Sequence, residues 1–226
     1  MYYQNYHKHT SYSNSGKFKD SPVTHKDYFE AMLPLAEKGI PQIYSAFEHG
    51  WQSPYGRIYN DLEAFNKEHK KDNPNYKDIV MTIGLEGYWV LNHSEKDKTN
   101  NHICLIAKNE NGRKALNFYN AMTYITQEQI ENGNAKRFFD YEGDTPYTYF
   151  KNRWDIDLLL KLPKDDVLVT TACVGFYGYA KVDGEENQLD FTTTDEVIKI
   201  LNNHFTSFYL EVQANNTDFQ NKINKH

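Results

Sequence analysis

The sequence predicts an α/β fold in which strands and helices close into a barrel, and three observations predict it. β-prone runs alternate with amphipathic helical stretches along the 226 residues. Metal-capable side chains recur where those runs start or stop: His7 with His9, His49 behind Glu48, then Glu86, His102 and Cys173. Strand termini are where parallel α/β folds build their sites, so the recurrence describes one basin at one mouth of a barrel.

Residues 2–9 read as the first strand, and two imidazoles at i and i+2 point the same way from it. Thr24 can cap a helix over 25–38, with Phe29, Ala31, Met32, Leu35 and Ala36 at helical spacing and Gly39 as its stop. Ile40 to Phe47 is the next strand, completing one βαβ unit. Tyr55 to Lys70 carries Ile58, Leu62 and Phe65 on one helical face, before an Asp72-Asn73-Pro74-Asn75 breaker. Asp78 to Leu91 is β-prone, His102 to Ala107 is a short apolar strand, and Gly112 to Tyr124 reads as a helix. Residues 131–153 are polar and rich in Gly, Asn and aromatics, which predicts a long loop on one face; its Lys136, Arg137 and Arg153 are candidates for phosphate contact or plain solvation. Asp155 to Leu160 reads as a short helix, Val167 to Cys173 as a buried strand, Thr194 as the cap of a helix to His204, and Phe208 to Val212 as a strand. The expected sheet is largely parallel, in one domain over 1–226.

Bulk composition narrows the function. A net charge of −6 excludes a broad electrostatic grip on nucleic acid, which rests on many Lys and Arg contacts to phosphate. Bound metal ions would reverse that field locally. With 18 Tyr and 13 Phe, many aromatic rings should be half-buried with their hydroxyls wet. No signal peptide and no apolar run near 20 residues is visible, which predicts a cytoplasmic chain without a membrane partner. Two cysteines make no disulfide framework; Cys104 reads as core.

Each metal-capable residue has a bland reading. His7 and His9 could be surface histidines, Glu48 and His49 an exposed pair, Glu86 a solvent-facing residue of an edge strand, His102 a cap on backbone, and Cys173 inert packing. Their joint recurrence at strand termini favours metal. An acid beside a histidine can orient the imidazole, which gives Glu48 a supporting role. Mixed N, O and S donors suit Zn²⁺, and the carboxylates also admit Mn²⁺ or Fe²⁺. Clustered divalent ions activate water and clamp phosphoester oxygens, so the chemistry implied is phosphoester hydrolysis.

Several runs carry a resemblance: His7-Lys8-His9-Thr10-Ser11-Tyr12-Ser13, Ala36-Glu37-Lys38-Gly39-Ile40-Pro41 into Phe47-Glu48-His49-Gly50, and Ile83-Gly84-Leu85-Glu86. His102-Ile103-Cys104-Leu105-Ile106-Ala107-Lys108-Asn109-Glu110-Asn111-Gly112, Arg153 with Leu158-Leu159, Val169 to Cys173 and Phe208 to Val212 continue it in order. The chain resembles the PHP (polymerase and histidinol phosphatase) domain at the N-terminus of the bacterial and phage DNA polymerase III alpha subunit. The resemblance implies a distorted TIM-like (βα)7 barrel and metal-dependent phosphoesterase or 3′–5′ exonuclease chemistry, or a degenerate structural role. It implies up to three divalent metals, with His7, His9, Glu86, His102 and Cys173 around two of them, Glu86 bridging, and His49 with Asp20 serving the third. Implied partners are the 3′ end of single-stranded DNA and the remainder of a replicative DNA-directed DNA polymerase. The family's late Asp-x-His is not found after Cys173, and Gln213 to Lys225 reads as the loop and helix leading to that strand. The barrel is therefore expected to lack its last strand and helix, and the palm carboxylates of nucleotidyl transfer are absent. Rival expectations are a stand-alone PHP phosphoesterase for a small phosphorylated substrate and a non-catalytic scaffold stabilised by metal.

Overall fold

The structure is a computed structural model that describes residues 6–14, 20–50, 54–95, 99, 101–177, 179–182, 185–189, 191–214 and 217–226. The chain is α/β and divides into two compact units, Met1–Leu85 and Glu86–His226.

In the first unit, a 3-10 turn at Ser11–Ser13 follows the histidine pair, with the Thr10 side chain accepting from the Tyr12 N–H. Helix α1 (His25–Ala36) begins where the sequence predicts, because Thr24 and Asp27 cap each other reciprocally. The chain turns away from the helix at Gly39, whose φ of 77° only glycine adopts freely, and where a Cβ would lie 3.2 Å from the Asn75 carbonyl oxygen. Strand β1 (Ile43–Tyr44), helix α2 (Tyr55–Lys70) and strand β2 (Val80–Met81) form a βαβ unit, with Ile43 opposite Val80 and Tyr44 opposite Met81 in parallel. Phe29, Ala36, Tyr44, Ala46, Tyr55, Ile58 and Leu62 pack into one core between α1, α2 and the strands. Asn66 is buried inside α2 and fully engaged: it donates to the Ile79 carbonyl (2.9 Å) and accepts from the Ile79 N–H (3.0 Å) and the Tyr76 hydroxyl (2.8 Å). Those bonds tie the helix to the approach of β2 and offset the cost of burying an amide.

The second unit contains most of β3 (Gly84–Val90), then β4 (Asn101–Ala107), helices α3 (Glu110–Met122), α4 (Gln127–Glu131) and α5 (Asn134–Phe139), and strands β5 (Thr148–Tyr149), β6 (Lys151–Asn152) and β7 (Trp154–Asp155). There follow α6 (Ile156–Leu159), β8 (Val167–Thr170), β9 (Tyr179–Val182), β10 (Glu185–Leu189), α7 (Phe191–His204), β11 (Phe208–Tyr209) and α8 (Asp218–Lys225). Five strands form one sheet in the order β11-β8-β4-β3-β7. Ile103 to Ile106 are all buried, which a central strand covered on both faces requires.

Several expectations are corrected here. The sheet is mixed rather than largely parallel: β8 runs parallel to β11, yet antiparallel to β4, with Cys104 opposite Thr170 and Ala107 opposite Val167. No sheet of the described residues closes on itself, so the TIM-like barrel is not what these strands form; barrel closure needs every strand tilted and paired on both sides, whereas β11 and β7 are open edges of two residues each. The segment 131–153 is also not a plain loop. A Thr126–Gln129 capping box starts α4, Gly133 at φ 77° separates it from α5, and β5 pairs β6 as a tight hairpin. Helices of five and six residues are too short to display a period. Helix α7 begins at Phe191, so Thr194 is a buried residue within it rather than its cap. Residues 2–5 of the predicted first strand lie outside the described residues, and 6–9 are not in a strand, although the Lys8 carbonyl accepts from the Phe47 N–H at 2.9 Å.

Candidate metal centres

The first unit gathers three of the expected ligands. His9, Asp20 and His49 each offer an atom within 4.8 Å of the others. Asp20 Oδ2 lies 3.7 Å from His9 Nδ1 and 3.6 Å from His49 Nε2, beyond hydrogen-bond length. That oxygen is shielded from solvent and accepts no hydrogen bond among the described residues. Zinc bonds of about 2.0–2.1 Å place the corners of a tetrahedron roughly 3.3–3.4 Å apart, so the spacing fits a divalent cation among the three groups. The His9 and His49 rings stack at 4.4 Å between centroids, and the His7 ring stands edge-on to His9 at 5.2 Å.

Local structure explains how distant residues converge. Asn14 accepts from the Asp20 N–H (2.6 Å) and the Ser21 N–H (3.1 Å) and donates to the Ser21 carbonyl (2.8 Å), which fixes Asp20 beside the 3-10 turn. Glu48 is fully buried and accepts from both the Thr10 and Ser13 hydroxyls. Ser13 in turn contacts His9 Nδ1 at 3.1 Å and accepts from the His49 N–H at 3.4 Å. Glu48 therefore supports the histidines through Ser13; the expectation that its carboxylate itself orients an imidazole is refined to that extent. Between His7 and His9, burial lowers the Lys8 ammonium to about 8, and its Nζ rests 5.0 Å from the centroid of Tyr28. Tyr28 donates its hydroxyl to the His9 carbonyl at 3.0 Å, and burial, then Glu48, raises its pKa.

The second unit gathers the other three. His102 Nδ1 is 2.8 Å from Glu86 Oε1 and 3.3 Å from Cys173 Sγ, and that sulfur is 3.7 Å from the same carboxylate oxygen. One nitrogen, one oxygen and one sulfur thus converge, a donor set that zinc favours. Glu86 is the third residue of β3, an interior strand, and is fully buried, which excludes the solvent-facing reading. His102 faces it from neighbouring β4. Cys173 lies beyond the end of β8, where Ala172 adopts φ 50°, a strained conformation for a residue with a Cβ. The Gly175 N–H donates to the sulfur at 3.3 Å. Gly175 also leaves room for the imidazole, since a Cβ there would stand 3.0 Å from His102 Cγ.

Six of the seven predicted ligands thus fall into two constellations, each built within its own unit, and His7 stands beside the first through its ring contact with His9. Arg153 does not: it is buried, donating to the carbonyls of Tyr149 and Thr99, and Lys136 pairs with Glu142 at 2.7 Å. Cys104 is core, as read. Sequence reasoning missed the supporting roles of Thr10, Ser13 and Asn14; only the concentration of hydroxyl and amide side chains behind the histidine pair signals them. Among the described residues no helix is long and apolar enough to cross a membrane. No family model matches the chain, and no curated protein matches it.

Proposed function

We propose that this chain is a divalent-metal phosphoesterase module of the PHP kind, belonging to a DNA polymerase III alpha subunit and acting on the 3′ end of single-stranded DNA. The observation that carries the reading is the dry Asp20 carboxylate oxygen held between two imidazoles at metal-ligand spacing. His9, Asp20, His49 and neighbouring His7 would hold ions in the first unit, and Glu86, His102 and Cys173 in the second. Zn²⁺ or Mn²⁺, with Fe²⁺ also compatible, would supply activated water and charge to offset the anionic phosphoryl group. Around them the chain keeps the carboxylates dry and the imidazoles oriented through Ser13 and Glu48.

The test is 3′-end hydrolysis of labelled single-stranded DNA by the Mn²⁺- or Zn²⁺-loaded chain. The reading predicts release of mononucleotides, abolished by EDTA and by Asp20→Asn. Metal retained without hydrolysis overturns it in favour of a metal-stabilised scaffold.

A further inference from the structure

The second unit holds a cation that neither constellation uses. Lys151 is half-buried on β6. Its Nζ stands 4.0 Å from the centroid of Tyr88, and the buried Tyr88 ring meets the His102 ring edge-on at 5.3 Å. Ammonium, aromatic plate and the Glu86–His102–Cys173 cluster are therefore in contact one after another. Among the described residues Lys151 Nζ forms no ion pair and no hydrogen bond, and the ring face of Tyr88 offsets part of its desolvation. Burial lowers its pKa first and nearby Arg153 adds to that, while the Glu86 carboxylate acts in the opposite sense. Immediately before it, Phe150 has φ 62° and is exposed, so the hairpin holds a strained residue with no packing to compensate it at the position that aims Lys151.

We propose that Lys151 is the anion-binding residue of this centre, its ammonium taking a non-bridging oxygen of a phosphate group presented to the Glu86–His102–Cys173 cluster. The proposal deepens the phosphoesterase reading and rests on it for the substrate class. A compact ammonium with three donors suits a phosphate oxygen, and Tyr88 keeps it from swinging into solvent. The Arg153 guanidinium, spent on two backbone carbonyls, adds positive potential without competing for the ligand.

The experiment compares the metal-loaded wild type with Lys151→Met and Lys151→Arg. Inorganic phosphate binding, measured by calorimetry, should weaken about ten- to hundredfold in the Met variant and recover largely in the Arg variant. Metal content and thermal midpoint should stay at wild-type values. With bis(p-nitrophenyl) phosphate as substrate, kcat/KM should fall by the same factor. Should the wild type hydrolyse no phosphodiester while phosphate affinity still drops in Lys151→Met, the phosphoesterase reading fails and the anion site stands. Equal phosphate affinity in wild type and Lys151→Met, or none in either, overturns the role of Lys151 whatever the activity.

Discussion

At Gly175 the chain passes so near His102 that a Cβ there would stand 3.0 Å from the imidazole and press the ring out of place by a few tenths of an ångström. Gly175→Ala should therefore displace the imidazole and weaken metal uptake by the second unit about tenfold or more, at roughly 1–3 kcal/mol of stability, as metal titration beside urea denaturation would measure. Lys8 supports a second prediction. Its folded pKa of about 8 lies below the ordinary 10.5, so the buried ammonium destabilises the fold while protonated, and stability is regained as pH rises from 8 to 10.5. After discounting for partial exposure, Lys8→Met should be more stable by about 1–2 kcal/mol below pH 8. Urea midpoints of the two proteins across that range should converge as pH rises. Residue types were legible in the sequence here: a buried Glu between two glycines, or His-x-His, announces its chemistry. The supporting Ser13 and Asn14 were not, because hydroxyls and amides are common in turns and only geometry shows which of them touch a histidine.

Among elements, long amphipathic helices were read nearly to the residue, since α1 and α2 carry both a cap or breaker and a periodic apolar face. Strands were read too long. Ile40 to Phe47 contracts to Ile43–Tyr44 because a strand ends where its partner ends, which is information held elsewhere in the chain. The run Lys108 to Gly112 has a plain structural meaning. Asn109 caps α3 by accepting from the Gly112 N–H at 3.0 Å, and Asn109 and Asn111 both donate to Asp166 at the turn before β8. A Cβ on Gly112 would stand 2.1 Å from the Asp166 carbonyl oxygen, so backbone must move to admit it. Gly112→Ala should cost about 1–3 kcal/mol, seen as a lower urea midpoint at unchanged metal content.

For the whole molecule, the sequence conveyed the α/β class and the order of its metal-capable residues, while sheet direction escaped it. Alternation of strands and helices is compatible with parallel or antiparallel neighbours, and only pairing across 60 or so residues makes β4 and β8 antiparallel. If the two constellations hold ions, folding and metal binding are linked. A divalent ion at about a hundred times its Kd should add roughly 2.7 kcal/mol per site, raising the thermal midpoint reversibly with EDTA. The most direct measurement is metal stoichiometry by plasma mass spectrometry on protein equilibrated with Zn²⁺ or Mn²⁺ and then desalted. The account predicts at least one ion per chain, reduced by His7→Ala, by Asp20→Asn and by Cys173→Ala in folded protein. No metal above the buffer level, or a content indifferent to all three substitutions, would contradict it.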